Sequence, residues 1–424
     1  MPNAFSKEER IAFEDILEGF QDALVLSRNV AVYNTDQVMM ERTNNIIWRP
    51  QPYISTSYAG TDMTTNFDDY TQLSVPATIG FSRSVPWIMT ATELRDALQE
   101  KRLGDAAKQK LASDINVAIM NVAALQGSLF VKRTGAASGF DDVAECEAVM
   151  NEQGVVDYDR YLALSTRDYN GMASDLAKAS RSFGNEISDT ALRRAFVGRL
   201  ASFDTYKLDY AVRKAAAAGG AGLTVSTLTA AGNYFVPRAT SVATTGESAN
   251  VDNRFQTITI SSTTNVAAGD SFTIGNVFAN HHITKASTGV LKTFRVVSVP
   301  SATTLVITPP IISNQGGSDA EAQYQNVVVT AQSGTAPIVF LNTVAGAMNP
   351  FWQKDALEIL PGRFAVPSDA GAAVMRASTD QGIELVMSKQ YDINTMKTKY
   401  RLDTLYGVVN KQPEMSGIIM FSQT

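Results

Sequence analysis

Residues able to do chemistry are sparse in this chain. Its two histidines, His281 and His282, are adjacent. Neighbours on a strand point to opposite faces, so the pair cannot chelate one metal well. No cysteine cluster and no His-Glu-x-x-His helix accompanies them. They read as part of a polar surface loop. With histidine confined to that loop, neither a serine nor Cys146 has a base to activate it. Cys146 lies in an Ala-Glu-Cys-Glu stretch whose acids disfavour a thiolate. The carboxylate pairs Asp68-Asp69 and Asp141-Asp142 are adjacent in sequence, which is the wrong geometry for acid–base work and is common in loops and at helix starts. There is no GxxxxGK[ST] phosphate loop and no GxGxxG following a strand. The expectation is a protein without catalytic, metal or cofactor site, and therefore not an enzyme.

Composition narrows the class further. The chain has 424 residues, 45 % hydrophobic and 18 % charged, which describes an ordinary globular protein of two or three domains. Thirty-six basic against 42 acidic residues give a net charge of −6, the reverse of a nucleic-acid-coating protein. Arg193, Arg194 and Arg199 read as lying on one helix, and Lys397, Lys399 and Arg401 alternate on a strand. Neither group has the interleaved aromatics of a specific nucleic-acid site. A single cysteine excludes an internal disulfide and suits a reducing compartment. The N-terminus is charged and amphipathic, no run approaches the ~18 apolar residues of a membrane span, and no Asn-x-Ser/Thr sequon occurs. The expectation is a soluble, membrane-free protein made in a cytoplasm.

The elements that would position any site fall in a clear order. Residues 5–30 carry Ile11, Phe13, Ile16, Leu17, Phe20, Leu24 and Leu26 at helical spacing. That apolar stripe must lie on the chain's own core or on a neighbouring subunit. Residues 45–89 alternate in the manner of strands, with Pro50, Pro52, Pro76 and Pro86 restricting them to edges or a long hairpin tipped by GTDMTTNFDD. Thr90 and Glu93 form a capping box that opens a helix running to Gly127, about 36 residues or ~54 Å long, with Gly104 expected to bend it. Shorter helices (DDVAECEAVMNE, YNGMASDLAKAS, DTALRRAFVGRL) and the strand YLALS follow, then the small-residue linker RKAAAAGGAGLTV. From about 222 to 345 the pattern turns purely β, with QTITIS, DSFTI, LKTFRVVSV and TTLVITPPII separated by turn residues. This block reads as an all-β domain inserted into an α+β host. The host style resumes with PFWQKDALEILP and ends in alternating strands.

This order of parts resembles the major capsid proteins of tailed bacteriophages, the HK97-like fold. More narrowly it is similar to coat proteins of short-tailed Salmonella phages, which carry an inserted telokin-like β domain. The matching stretches are Asn45-Ile-Ile-Trp48-Arg-Pro50, then Val251-Asp252-Asn253-Arg254-Phe255 followed by TITISSTTNVAAGDSFTI, and the ending from Tyr406-Gly-Val through Pro413-Glu414. The resemblance implies an N-terminal arm (1–35) and a peripheral domain (36–150) with an extended loop (48–88) and a spine helix (90–126). It further implies an axial domain in two parts (151–221 and 346–424) and the inserted domain at 222–345. The extended loop would overlap an adjacent subunit, and the insertion would sit outside the shell, helping the subunit fold. Assembly residues on this reading are Trp48, Pro50, Trp87, Thr90, Glu93, Asp252, Arg254, Tyr406, Pro413 and Glu414. The family's acidic loop corresponds here to SVATTGESAN, whose one acid is Glu247. The implied function is self-assembly into pentamers and hexamers of an icosahedral procapsid. Implied partners are the chain itself, a scaffolding protein, a portal and non-specifically held double-stranded DNA, with assembly in a bacterial cytoplasm. The alternative from another class is a carbohydrate-binding adhesin or tail-associated module using aromatics such as Phe278 or Tyr324.

Overall fold

A computed structural model describes residues 5, 7–33, 46–52, 57–64, 67, 69–90, 92–93, 97–179, 198–208, 210–219, 222–225, 234–329, 336–365 and 372–424. By internal contacts the chain divides into two units. The first comprises Met1–Ile47, Ala77–Met120 and Glu358–Val409, and the second Trp48–Pro76, Asn121–Leu357 and Asn410–Thr424.

In the first unit, helix Lys7–Ala23 is followed by a 3-10 turn, Leu26–Asn29, rather than running on as one helix to residue 30. Its stripe lies on the unit's own core: Phe13, Ile16, Phe20, Leu24 and Leu26 are all buried. Asn116 ties the end of this helix by donating to the Ala23 carbonyl at 3.1 Å and accepting from the Leu26 amide at 3.3 Å. The long helix is described over Ala97–Gln126. Its helical assignment continues through Gly104, where the missing side chain makes room for a neighbour: an added Cβ would come within 2.6 Å of Ile16 Cδ1. The capping box forms, with Thr90 N–H donating to Glu93 Oε2 at 2.8 Å and Glu93 N–H to Thr90 Oγ1 at 3.4 Å.

The unit's sheet contains Ala31–Val32, Leu357–Pro361, Ala373–Ser378, Glu384–Asp392, Lys397–Asn410 and Phe81–Thr90. Phe81–Thr90 pairs with Lys397–Tyr406 along its whole length. This changes the hairpin expected over 48–88. Its second arm is two strands, of which only Ser74–Thr78 pairs back with Ile46–Pro50. The prolines still fall where no ladder donor is needed, Pro86 on an edge strand and Pro50 in a two-stranded ribbon.

The second unit contains a mixed sheet ordered Leu129–Lys132, Ser416–Met420, Asn349–Gln353, Arg160–Ser165, Phe203–Leu208 and Arg199–Leu200. Helices Phe140–Glu152 and Thr166–Ala179 bury Val143, Cys146, Met150, Tyr169 and Met172 in a core with Leu162, Leu164, Phe203 and Phe351. Asp142 secures a helix start, accepting from the Ser138 amide at 2.6 Å and pairing with Arg133. Arg199 lies on a strand, not on the expected helix, and Arg193 and Arg194 lie outside the described residues. Lys399 and Arg401, on their strand in the first unit, alternate as expected but face Asp392 (3.5 Å) and Asp403 (2.6 Å).

The all-β block closes on itself. Its strands run Thr224–Val225, Ala336–Phe340, Ser271–Asn280, Ser287–Ser298, Thr304–Thr308 and Gln256–Thr259. The bridge Val225↔Ile260 and the bond from Ser261 N–H to Thr224 O (2.9 Å) then join last to first. Closure removes the exposed sheet edge, and the interior holds Ile258, Ile274, Phe294, Val296, Leu305, Ile307 and Ile338. The connecting segments are themselves tied, Arg213–Lys214 pairing with Gly346–Ala347 and Ala217 N–H donating to Asn342 O at 2.8 Å. Among the described residues of the block one helix, Asp319–Tyr324, interrupts the strands, and the sequence pattern does not foresee it.

The division by contacts cuts across the one the resemblance implies. Contacts put Asn121–Leu357 wholly in the second unit and Glu358–Val409 in the first, whereas the resemblance groups 36–150 together and 346–424 together.

Candidate assembly surfaces

Among the described residues no three His, Cys, Asp or Glu side chains converge as a metal site, and no helix is long and apolar enough to cross a membrane. Cys146 is fully buried. Burial raises its thiol well above the ordinary value, and Glu145 and Asp142 add to the effect.

What the molecule offers instead is surface. Between the paired strands Ile46–Pro50 and Ser74–Thr78 the chain projects a loop bearing Tyr58, Phe67 and Tyr70, exposed by 42 %, 86 % and 52 %. Thr65, Asn66 and Asp68 of its expected tip lie outside the described residues. The loop root is ordered by hydrogen bonds: Gln51 N–H donates to Leu73 O at 2.9 Å, and Gln72 Nε2 to Gln51 O at 2.8 Å. A second projection is the hairpin Thr240–Val242/Ser248–Asn250, exposed throughout, with Val242 and Glu247 at its end.

The third feature is interior to the second unit. Glu414 is buried where the barrel meets the mixed sheet, with Lys292 Nζ at 2.5 Å and His282 Nε2 at 3.2 Å. Lys292, 1 % exposed, also donates to Gln153 Oε1 at 2.9 Å. Burial pushes the Glu414 carboxyl up, but Lys292 and His282 outweigh it and hold the group well below the usual carboxylate range. His282 N–H donates to Gln153 O, and the His281 ring sits against Gly154. The histidines are therefore a docking element and not a free polar loop. Nearby, Arg295 reaches out of the barrel to the carbonyls of Ala124 and Leu129, at the C-terminal end of the long helix, where a cation complements the helix dipole. Gly127, just past that end, is in close contact with the chain beyond it: an added Cβ would press on the backbone of Ser416 at 2.9 Å.

The residues singled out from the sequence scatter over these features. Trp48 and Pro50 lie on the first strand of the loop root. Trp87 stacks on Tyr400 at 5.5 Å, and Tyr406 stacks on Phe81 at 5.6 Å while its hydroxyl donates to Asp114 O. Asp252 and Arg254 form an ion pair at 2.7 Å, and Arg254 Nη1 also donates to Asn410 O at 2.9 Å. Pro413 O accepts from the Ser128 amide and hydroxyl. The sequence reading missed Lys292, Gln153 and Arg295, since none belongs to a local motif, and it placed His282 in a surface loop rather than beside Glu414. Phe278 and Tyr324, offered as exposed ligand-binding aromatics, are half-buried, and the Tyr324 hydroxyl bonds the chain's own backbone. That removes the support they lent to an adhesin.

The chain is thus a split α+β host with a closed barrel spliced into it and loops that project from it. Residues 1–422 match the family model for the P22 coat protein, gene protein 5, and the chain belongs to that family. It is a phage major capsid protein that forms the capsid shell, and its fold is an α+β host with an inserted β barrel. Among solved structures it is similar to one from Mycobacterium phage Che8, with 9 % identity, 93 % of this chain and 90 % of that chain covered, and a TM-score of 0.46. The capsid of cyanophage P-SCSP1u gives 11 % identity, 100 % and 90 % coverage, and a TM-score of 0.42. The coat protein I-domain of CUS-3 is 34 % identical, covering 29 % of this chain and 98 % of that chain, with a TM-score of 0.22.

Proposed function

We propose that this subunit builds an icosahedral procapsid from pentamers and hexamers, with the loop between residues 51 and 73 overlapping the adjacent subunit. The observation that carries this is the loop itself. Three large aromatic side chains, Tyr58, Phe67 and Tyr70, are exposed on it, and its root is fixed by hydrogen bonds. Scattered exposed apolar residues are ordinary, but three large ones within one loop whose root is fixed suit an interaction site. On this reading the mixed sheet of the second unit forms the axial domain that meets at the capsomer centres. The barrel, 222–345, faces outward, and the Thr240–Asn250 hairpin around Glu247 touches a neighbouring capsomer. A scaffolding protein and a portal are the assembly partners, and the packaged double-stranded DNA is held without sequence preference, consistent with the net charge of −6. Assembly takes place in the bacterial cytoplasm, and the subunit catalyses nothing.

The test replaces Tyr58, Phe67 and Tyr70 by Ser together. These side chains are exposed, so the monomer is expected to keep its circular dichroism spectrum while shell yield in a scaffold-assisted assembly reaction collapses. Shells forming at the parental yield would remove the role given to the loop.

A further inference from the structure

The six-residue helix Asp319–Tyr324 is too short to be stable by itself, yet both its ends are secured. At its start Glu321 N–H donates to Ser318 Oγ at 3.3 Å, and the Glu321 carboxylate accepts from the Ser318 amide at 3.1 Å and hydroxyl at 2.9 Å. At its end Lys285 Nζ, from the barrel, donates to the carbonyls of Gln323 (2.8 Å) and Gln325 (3.2 Å).

From this stiffened turn three side chains reach the returning limb of the extended loop. The Gln323 amide donates to Asp69 O at 2.8 Å and accepts from Thr71 N–H at 3.4 Å. The Tyr324 hydroxyl donates to Thr71 O at 3.1 Å and accepts from Leu73 N–H at 3.3 Å. Asp319 Oδ2 accepts from Asp69 N–H at 3.3 Å. The backbone groups engaged belong to alternate residues 69, 71 and 73, as they would along one edge of an extended strand. Side chains of the helix thus satisfy that edge in place of a partner strand, while Gln51 holds Leu73 from the other limb. Leu73, the last residue of the gripped stretch, is buried, so the limb is held by packing at that end as well as by these bonds.

We infer that the inserted barrel carries a bracket, Gln323 and Tyr324 on helix Asp319–Tyr324, that grips its own subunit's extended loop and sets the direction in which the aromatic tip leaves. The inference rests on the proposed role of that loop in overlapping a neighbour. Gln323 and Tyr324 are positioning residues: they act through the backbone of residues 69–73 of their own chain. The barrel, besides helping the subunit fold, takes part in aiming the contact that builds the shell.

The test uses the full-length subunit with Tyr324→Phe, which removes one hydroxyl, Gln323→Met, which keeps the shape, and the pair together. Amide hydrogen exchange is read at Thr71 and Leu73, with Phe272 and Val296 in the barrel as folding controls. The double variant removes four hydrogen bonds and is expected to raise exchange at Thr71 and Leu73 about tenfold or more, with the barrel amides unchanged. Scaffold-assisted assembly should then give fewer closed shells and more aberrant polymers. Unchanged exchange at Thr71 and Leu73 would overturn the bracket. Loosened exchange with normal shells would overturn its role in aiming, provided the Tyr58, Phe67 and Tyr70 replacements still abolish shells. If those replacements also leave shells normal, the reading of the loop itself falls.

Discussion

Replacing Lys292 by Met strands a charge. In the wild type the Glu414 carboxylate has the ammonium at 2.5 Å and the His282 ring at 3.2 Å, in a site where Lys292 is 1 % exposed. At an effective dielectric of ~20 two unit charges this close attract by roughly 5–7 kcal/mol, most of which offsets the cost of taking both out of water. Removing one partner leaves that cost without its compensation, so the loss should be about 3–5 kcal/mol. Glu414→Gln should cost about as much, because Lys292 then keeps only Gln153 Oε1 at 2.9 Å. The double variant buries no unpaired charge and should recover most of the loss. The assay is a double-mutant cycle by urea unfolding of the assembly-competent monomer. Single-variant losses below about 1 kcal/mol with no coupling, as for a surface pair, would refute the reasoning. The pH dependence follows with its sign. The folded carboxyl is held below its unfolded value of about 4.3, so the native state binds fewer protons across that window and stability rises with pH. The contribution of Glu414 is present above about pH 5 and is lost as pH falls through the acid range. In Lys292→Met that loss should begin at higher pH.

Three further outcomes can be checked singly. Gly407→Ala would press a Cβ onto the Thr78 carbonyl oxygen and should cost about 1–3 kcal/mol or more; an unchanged melting temperature would contradict the packing described. Cys146 should resist a thiol-specific reagent in the folded subunit and react fully on unfolding, since it is buried and its thiol is raised. Fast labelling under native conditions would show that this core opens. Residues 222–345 expressed alone should give a dispersed proton spectrum, because the strand ladder closes within the segment; a collapsed spectrum would show that the barrel depends on its host.

Patterns of local origin are legible in the sequence. The stripe of helix Lys7–Ala23, the Thr90–Glu93 box and the barrel strands all follow from periodicity and turn chemistry acting within a few residues. What is not legible depends on distance or brevity. Lys292 and Glu414 lie 122 positions apart, and neither belongs to a motif. The barrel closes through a two-residue strand and one bridge, too short to leave a pattern. Helix Asp319–Tyr324 is under two turns long, so it shows no apolar repeat, although its Ser318–Glu321 box is a readable signal. The expected hairpin overruns its true extent because Ser74–Thr78 and Phe81–Thr90 alternate alike, and only their partners distinguish them. The close approach of Ile16 to Gly104 is likewise invisible in the sequence, since 88 positions separate the two.

The decisive question is whether this chain builds a shell through an ordered arm fixed by its own fold. The most direct test is negative-stain electron microscopy of the purified full-length chain, co-expressed with and without its scaffolding protein. Closed, uniform shells are predicted with scaffold, and tubes or spirals without it. Small discrete particles under both conditions would contradict a shell-building role.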